Sequence, residues 1–188
     1  MDQIGRAGFI LAGGNSSRMG RDKAFLPAGG RTLIEQTADY VEQATGNVTL
    51  IGPRERYAGL GYPVVSDMLP GMGPLGGLYT ALRTTSSRWN LILACDMPRL
   101  TADFLRGLLQ AAENCGKDCL VPVTSDCVHP LCAAYHRDLL PRAESALSAG
   151  QLKMQTFVRA LDTEYWPVDD PDLLRNVNTP DEFVAEIR

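Results

Sequence analysis

The stretch Gly8-Phe9-Ile10-Leu11-Ala12-Gly13-Gly14-Asn15-Ser16-Ser17-Arg18-Met19-Gly20-Arg21-Asp22-Lys23 decides the fold. It begins as a short apolar strand and continues directly into a glycine-rich segment that carries three cations. Glycines let backbone N–H groups come close to an anion, and consecutive N–H groups in such a loop form a concave anion site. The pattern predicts a phosphate-binding loop at the end of a buried strand. The alternative is a surface loop with ordinary solvated charges.

This segment is not a Walker A motif. That motif requires G-x-x-x-x-G-K-[ST], whereas Gly14 and Gly20 are too far apart here and Lys23 is displaced. The planar guanidinium of Arg18 suits two phosphate oxygens at once, and Lys23 supplies a compact charge. These two side chains are the candidate phosphate ligands.

Strands and helices alternate along the rest of the chain. Thr32 and Glu35 have the spacing of a capping box, which predicts a helix with a buried face at Ile34, Ala38 and Val41. The continuous apolar run Trp89–Ala94 is typical of a strand with both faces covered. Further strands are predicted at 48–51, 63–66, 119–123, 130–135 and 165–168, and further helices at 75–83, from 101, at 137–149, at 154–161 and from Thr179.

This alternation predicts an α/β fold with three layers, α/β/α, around a mainly parallel central sheet. The length of 188 residues predicts a single domain over 1–188. In such a Rossmann-like sheet ligands collect at the carboxyl ends of the strands. The candidate site residues should therefore follow strands.

Charge and hydropathy limit the class of protein. The chain has 18 Lys and Arg against 22 Asp and Glu, which argues against a general nucleic-acid binder. No apolar run approaches the roughly 18 residues of a membrane span, and no signal-peptide pattern is present. We expect a soluble, cytoplasmic protein with no nucleic-acid or membrane partner. Residues 1–31 contain five basic and two acidic side chains. Because this segment is locally positive, an anionic small ligand remains compatible with the net charge of −4.

The five cysteines, at 95, 115, 119, 127 and 132, do not have zinc-site spacing. Several lie in apolar runs, where a thiol behaves as a small hydrophobic group. We expect buried, reduced cysteines without a function.

Asp96 follows the apolar strand that ends at Ala94. A carboxylate at the carboxyl end of a central strand suits Mg²⁺, which usually binds one or two carboxylates together with substrate oxygens. The alternative is an aspartate that caps the turn before Thr101.

The three glycines within residues 71–76 match the letters of the dinucleotide-binding motif G-x-G-x-x-G. Four residues, 67–70, separate this segment from the preceding strand, and Pro74 lies inside it. A dinucleotide-binding interpretation is therefore rejected.

The pattern Leu-Ala-Gly-Gly-x-Ser-x-Arg-Met-Gly-x-Asp-Lys resembles the signature loop of the bacterial nucleotidyltransferases that activate phosphorylated metabolites. Its Gly13-Gly14 pair resembles the version found in molybdenum cofactor guanylyltransferases. The match extends in the expected order from residue 8 to about 187, and it implies a nucleotidyltransferase fold. It also implies GTP contacts from Leu11, Ala12, Gly13, Gly14, Arg18, Lys23, Asp67, Gly76 and Asp96.

The resemblance assigns roles to further motifs. Cys95-Asp96-Met97-Pro98 resembles the metal site, so Asp96 is expected to hold Mg²⁺, with Arg18, Lys23 and Asp96 as the catalytic residues. The segment 70–78, with Gly76, resembles a second nucleotide-binding segment. Asp67 lies just upstream, and its carboxylate can accept both N–H groups on the Watson–Crick edge of guanine, or face the ribose. The alternative for Asp67 is a turn aspartate.

Two later motifs resemble the acceptor side of the family's site. They are His129–Tyr135 and Asn176-Val177-Asn178-Thr179-Pro180, which makes His129, Asn176 and Asn178 candidates. A single histidine at a strand start is more often structural, and asparagines before a capped helix can simply order the turn. One departure is Ile51-Gly52-Pro53, where the family often presents an asparagine to the nucleotide.

The resemblance implies transfer of GMP from GTP to the terminal phosphate of Mo-molybdopterin, with release of pyrophosphate. It also implies Mg²⁺ as cofactor, and molybdenum-insertion proteins and apo-molybdoenzymes as partners. Three alternatives stay open: a relative that uses CTP, one that uses a sugar-phosphate acceptor, and a non-catalytic carrier of GTP or molybdenum cofactor.

Overall fold

The computed structural model describes residues 5–13, 23–28 and 30–177. The strands are β1 (Arg6–Leu11), β2 (Pro27–Ala28), β3 (Arg31–Thr32), β4 (Thr49–Ile51), β5 (Val64–Val65), β6 (Trp89–Ala94), β7 (Cys119–Val123), β8 (Cys132–His136) and β9 (Thr163–Pro167). The helices are α1 (Leu33–Thr45), α2 (Arg54–Tyr57), α3 (Gly73–Thr84), α4 (Ala102–Cys115), α5 (Leu140–Ser148) and α6 (Met154–Arg159).

Seven strands form one sheet in the order β5-β4-β1-β6-β8-β7-β9, and β2 and β3 form a separate hairpin. Strand β8 runs antiparallel to both of its neighbours, β6 and β7. The four other pairings in the sheet are parallel. The prediction of a mainly parallel sheet is thereby confirmed, and the reversed β8 is its exception.

Two apolar clusters cover the two faces of the sheet. Alternate residues of one strand, such as Phe9 and Ile10, point into opposite clusters, as the period of two in a strand requires. Helices α1 and α4 pack on one face, and α3, α5 and α6 pack on the other. The predicted three-layer α/β/α arrangement is confirmed.

Helix α1 begins as the capping box predicts. The Glu35 carboxylate accepts hydrogen bonds from the backbone N–H of Thr32 at 2.9 Å and from its hydroxyl at 2.5 Å. The predicted inner face, Ile34, Ala38 and Val41, is completely buried. The helix ends at Thr45 and is capped by Gly46, whose φ of +80° is left-handed and favours glycine.

Several expectations were incomplete. Short helix α2 and the β2–β3 hairpin were not predicted, and the strand expected over 130–135 begins at Cys132 and extends to His136. The helix predicted from Thr179 lies outside the described residues. Cys119 and Cys132 are buried as expected, but Cys95 and Cys115 are only half-buried. Cys127 is exposed, because it lies in the loop before β8. In the described part of the chain, no helix has the length and apolar character that crossing a bilayer requires.

Candidate active site

The candidate site is built where β1 and β6 end side by side. Leu11 is paired with Ala94 at the ends of these parallel strands, so Ala12 and Gly13 emerge next to the turn that carries Asp96. Leu11 is half-buried, Ala12 is buried and Gly13 is exposed. Gly14, Arg18 and Asn178 lie outside the described residues.

Asp96 and Lys23 meet through Val177. The backbone N–H of Val177 donates to the Asp96 carbonyl at 2.8 Å, and Lys23 Nζ donates to the Val177 carbonyl at 3.4 Å. Val177 is itself buried and packs against Leu33 at the start of α1. Three distant parts of the chain therefore come together at the carboxyl end of β6.

The Asp96 carboxylate has an unsatisfied oxygen. Its Oδ1 is buried and forms no hydrogen bond within the part of the chain that the structure describes. Burial raises the pKa of this carboxyl group, and the positive charge of Lys23 and a backbone hydrogen bond oppose the rise. Buried polar atoms in native proteins are nearly always paired, so an orphaned carboxylate oxygen indicates a missing ligand.

This oxygen fits Mg²⁺, a hard cation that takes oxygen ligands. Among the described residues there is no group of three or more His, Cys, Asp or Glu side chains that could hold a metal ion. Within the described residues Asp96 is thus not part of a larger group of ligand side chains. One carboxylate suits an ion that completes its shell with substrate oxygens and water.

A cleft of about 450 Å³ adjoins Asp96. Two of the predicted acceptor-side residues, His129 and Asn176, line it together with Asp96. Lys153 and Gln155 line it as well, and neither was predicted. Lys153 is one of only three lysines in the chain, and this scarcity was the one sequence signal that could have found it.

His129 is held in place at the edge of the cleft. Its Nε2 lies 3.2 Å from the hydroxyl of Thr124, and its backbone N–H donates to Pro122 at 3.0 Å. Burial lowers the pKa of the imidazole, and nearby Asp126 opposes this only in part. At neutral pH the ring is therefore uncharged and offers hydrogen bonds rather than a positive charge.

Asp67 and Gly76 lie outside the lining of the cleft and stabilise the turn that leads into α3. Asp67 Oδ1 accepts from the N–H of Leu69 and from the hydroxyl of Thr80, each at 3.0 Å. A Cβ atom on buried Gly76 would lie 3.0 Å from the Leu69 carbonyl. One Asp67 oxygen is thus fully used within the protein, and Oδ2 is the oxygen open to a ligand.

Comparisons with known proteins show the family of this chain. Residues 8–164 match the family model of the MobA-like NTP transferase domain. A Mycobacterium marinum protein named probable molybdenum cofactor guanylyltransferase is 34% identical, over 100% of this chain and 96% of its own. A protein of the same name from Carboxydothermus hydrogenoformans is 35% identical, over 93% of this chain and 91% of its own.

A solved structure has the same fold. Molybdopterin-guanine dinucleotide biosynthesis protein A from Archaeoglobus fulgidus superposes with a TM-score of 0.81 at 26% identity, covering 96% of both chains. The family match runs from within β1 to the start of β9, and therefore includes the strand ends that carry Gly13 and Asp96. The chain belongs to the MobA-like NTP transferase domain family and is a nucleotidyltransferase.

Proposed function

We propose that this nucleotidyltransferase transfers GMP from GTP to the terminal phosphate of Mo-molybdopterin, with pyrophosphate as the other product. The observation that carries the proposal is the unpartnered Oδ1 of Asp96, which is buried beside Lys23, with Asp96 lining the 450 Å³ cleft. The names of the full-length relatives from M. marinum and C. hydrogenoformans support the choice of nucleotide and acceptor.

The reaction needs no general base. The second pKa of a phosphate monoester is near 6, so the acceptor phosphate is largely ionised at pH 7. It can attack the α-phosphorus of GTP directly: the new bond forms to phosphorus, and the bond to the β-phosphate oxygen breaks to release pyrophosphate. The protein must hold two polyanions in line and neutralise their repulsion.

Lys23 supplies a positive charge next to Asp96, and Arg18 is the second candidate cation on the GTP side. Asp96 would hold Mg²⁺, which supplies charge neutralisation at the phosphates when bound. On the nucleotide side, Leu11, Ala12, Gly13 and Gly14 would surround the phosphates. Asp67 Oδ2 would accept a hydrogen bond from guanine or ribose, and Gly76 would permit the turn that positions Asp67.

The cleft has the mixed lining that a pterin phosphate requires. Met97, Leu131 and Leu152 give it apolar walls, and Lys153 adds a cation that can pair with the acceptor phosphate. His129 and Asn176 contribute neutral hydrogen-bonding groups. Asn178 remains a prediction on the same side.

The test offers the purified protein Mg²⁺, Mo-molybdopterin and GTP, CTP or ATP in separate reactions. We expect pyrophosphate and a guanine dinucleotide product with GTP alone. Release of pyrophosphate with CTP but not with GTP would show that the proposed base is wrong. Activity only with a sugar phosphate would show that the proposed acceptor is wrong. Binding of GTP without any turnover would support a carrier of cofactor.

Two lysine variants make a matched pair for this assay. Lys23→Ala should abolish pyrophosphate release. Lys117→Ala should retain it, because Lys117 pairs with Asp162 at 2.9 Å before the amino end of β7, at the opposite edge of the sheet. Equal loss in both variants would argue against a specific role for Lys23.

The dinucleotide product must reach the enzymes that use it. Molybdenum-insertion proteins and apo-molybdoenzymes remain the predicted partners. Co-purification of the protein with either class, with and without bound product, would test this prediction.

A further inference from the structure

Tyr57, the last residue of α2, is a completely buried phenol next to the candidate site. Its hydroxyl donates a hydrogen bond to the backbone carbonyl of Ala12, the residue that follows β1. The N–H of Ala12 is also bonded, to the Ile51 carbonyl at 2.8 Å. Both polar backbone groups of Ala12 are therefore fixed within the protein.

The Tyr57 ring also contacts the other end of the phosphate loop. It stacks on Phe25, with ring centroids 5.8 Å apart and planes 14° from parallel. Phe25 closes the short turn Lys23–Phe25, which carries Lys23. The phenol also lies close to Gly52, where an added Cβ atom would be 3.0 Å from its Cε2 atom. One side chain thus supports Ala12 and the turn that bears Lys23.

The hydrogen bond to Ala12 sets the direction of the next N–H group. In a trans peptide the C=O and N–H of the same plane point in opposite directions, and no cis peptide occurs in the described residues. The Gly13 N–H therefore points away from the Tyr57 hydroxyl. Gly13 is exposed, and its N–H has no hydrogen-bond partner in the described part of the chain.

We propose that Tyr57 is a positioning residue for the triphosphate of the bound nucleotide. It holds the Ala12–Gly13 peptide so that the Gly13 N–H faces the phosphates, and it holds the turn that places Lys23 beside Asp96. Tyr57 acts through these groups and does not touch the substrate. The inference rests on the proposed function, because it assumes that this edge binds GTP.

Tyr57→Phe tests the inference, since it removes the hydroxyl and keeps the ring that packs on Phe25 and Gly52. We expect the Kd for GTP, measured with Mg²⁺ present, to rise by about three- to tenfold, the range for one lost hydrogen bond. The Kd for guanosine, which has no phosphates, should stay unchanged. KM for GTP should rise with the Kd, and KM for the acceptor should not.

Tyr135→Phe is the matched control. Tyr135 is also fully buried, and its hydroxyl also donates to a backbone carbonyl, that of Pro130 at 2.7 Å. Its removal should lower thermal stability by a similar amount without changing the Kd for GTP. The inference is wrong if both variants weaken GTP binding equally, or if Tyr57→Phe weakens the binding of guanosine as much as that of GTP. Either result would show that the substitution loosens the protein in general.

A second variant tests the ring contact separately. Phe25→Leu removes the aromatic stack from a side chain that is 39% exposed, so folding should be little affected. We expect weaker binding of GTP and again no change for guanosine. If the wild-type protein does not bind GTP, the proposed function fails; if it does bind and neither variant changes the Kd, only the role of Tyr57 fails.

Discussion

At the scale of single residues, Asp96 is a carboxylate that the fold does not satisfy. Its Oδ1 is buried without a partner among the described residues, and burial raises the pKa of the group. An ionised carboxylate in such a place costs folding free energy. This cost is reasonable if the same oxygen binds a cation together with the substrate.

Asp96→Asn should therefore separate stability from activity. The pKa of Asp96 is higher in the folded than in the unfolded protein, so the free energy of unfolding falls as pH rises from about 4, the unfolded pKa, through the folded pKa. Without metal, the variant should have a higher Tm than the wild type at pH 7.5, and the difference should shrink towards pH 4. Pyrophosphate release should fall by on the order of 10³-fold.

Thermal unfolding in EDTA at several pH values measures the first effect. Addition of Mg²⁺ and GTP provides the control, because these ligands should raise the Tm of the wild type more than that of Asp96→Asn. A variant less stable than the wild type at pH 7.5 would show that the ionised carboxylate has a stabilising partner.

The sequence indicates some of these residues and not others. Asp96 could be found because it directly follows a long apolar strand. Lys153 and Tyr57 could not be assigned in this way. An exposed lysine before a short helix has the pattern of any solvated charge, and the contact between Tyr57 and Ala12 joins residues 45 positions apart. The structure also distinguishes the two carboxylate oxygens of Asp67, since Oδ1 accepts hydrogen bonds within the protein and Oδ2 is open to a ligand. The residue type alone does not show this difference.

At the scale of elements, α1 lies very close to β1 at Gly8. A Cβ atom there would lie 2.1 Å from Val41 Cγ1 and 3.0 Å from both the Asn47 carbonyl and the Thr45 hydroxyl. The strand thus needs a glycine at this position so that the helix can pack on it. Gly107 in α4 contrasts with it, since an added Cβ atom would lie 3.7 Å from Trp166, an ordinary contact.

Gly8→Ala and Gly107→Ala should change stability in opposite directions. For Gly8→Ala we expect a loss of about 1–3 kcal/mol, because α1 or β1 must move to accept the methyl group. For Gly107→Ala we expect a gain of about 0.5–1 kcal/mol, the helix preference of alanine over glycine. Chemical denaturation of both variants measures these differences, and a neutral Gly8→Ala would show that α1 shifts easily.

The elements that could be predicted were those with a periodic or capping pattern. Helix α1 had the Thr32 and Glu35 box as well as a buried face, and β6 had an uninterrupted apolar run. Helix α2 has four residues, too few for a period of 3.6 to appear. The direction of β8 was also not predictable, because alternation of buried side chains is the same in parallel and antiparallel strands.

At the scale of the whole molecule, the reactivity of the two buried cysteines measures how often the structure unfolds. Cys119 and Cys132 lie on β7 and β8 inside the sheet, and burial raises the pKa of Cys119 to about 12. The pKa of Cys132 is also raised by burial. Such thiols react only when the structure opens.

Labelling of the native protein with a thiol reagent should therefore be fastest at exposed Cys127 and slower at half-buried Cys95 and Cys115. Cys127→Ser should remove the fast phase, and Cys119 and Cys132 should react at the rate of global unfolding. Unfolding in denaturant should release all five free thiols. Fast reaction of Cys132 in the native protein would instead show that the sheet opens locally between β6 and β7.

The layered architecture itself could be predicted, because alternation of strands and helices leaves few arrangements for a chain of this length. The assembly of the site could not. Lys23, Asp96 and Val177 meet through long-range packing, and no local pattern connects residues separated by 154 positions.

The reversal of β8 has a consequence for how such an enzyme can diversify. At the carboxyl end of β1, the candidate site is formed by the segment that leaves the strand. Beside β6, it is formed by the loop with Cys127 and His129, which leads into the antiparallel strand β8. The nucleotide-side strand ends and the loop 124–131 are thus separate stretches of chain that meet beside β6. Replacing 124–131 should therefore change the lining of the cleft while leaving the strand ends that carry Gly13 and Asp96 as they are.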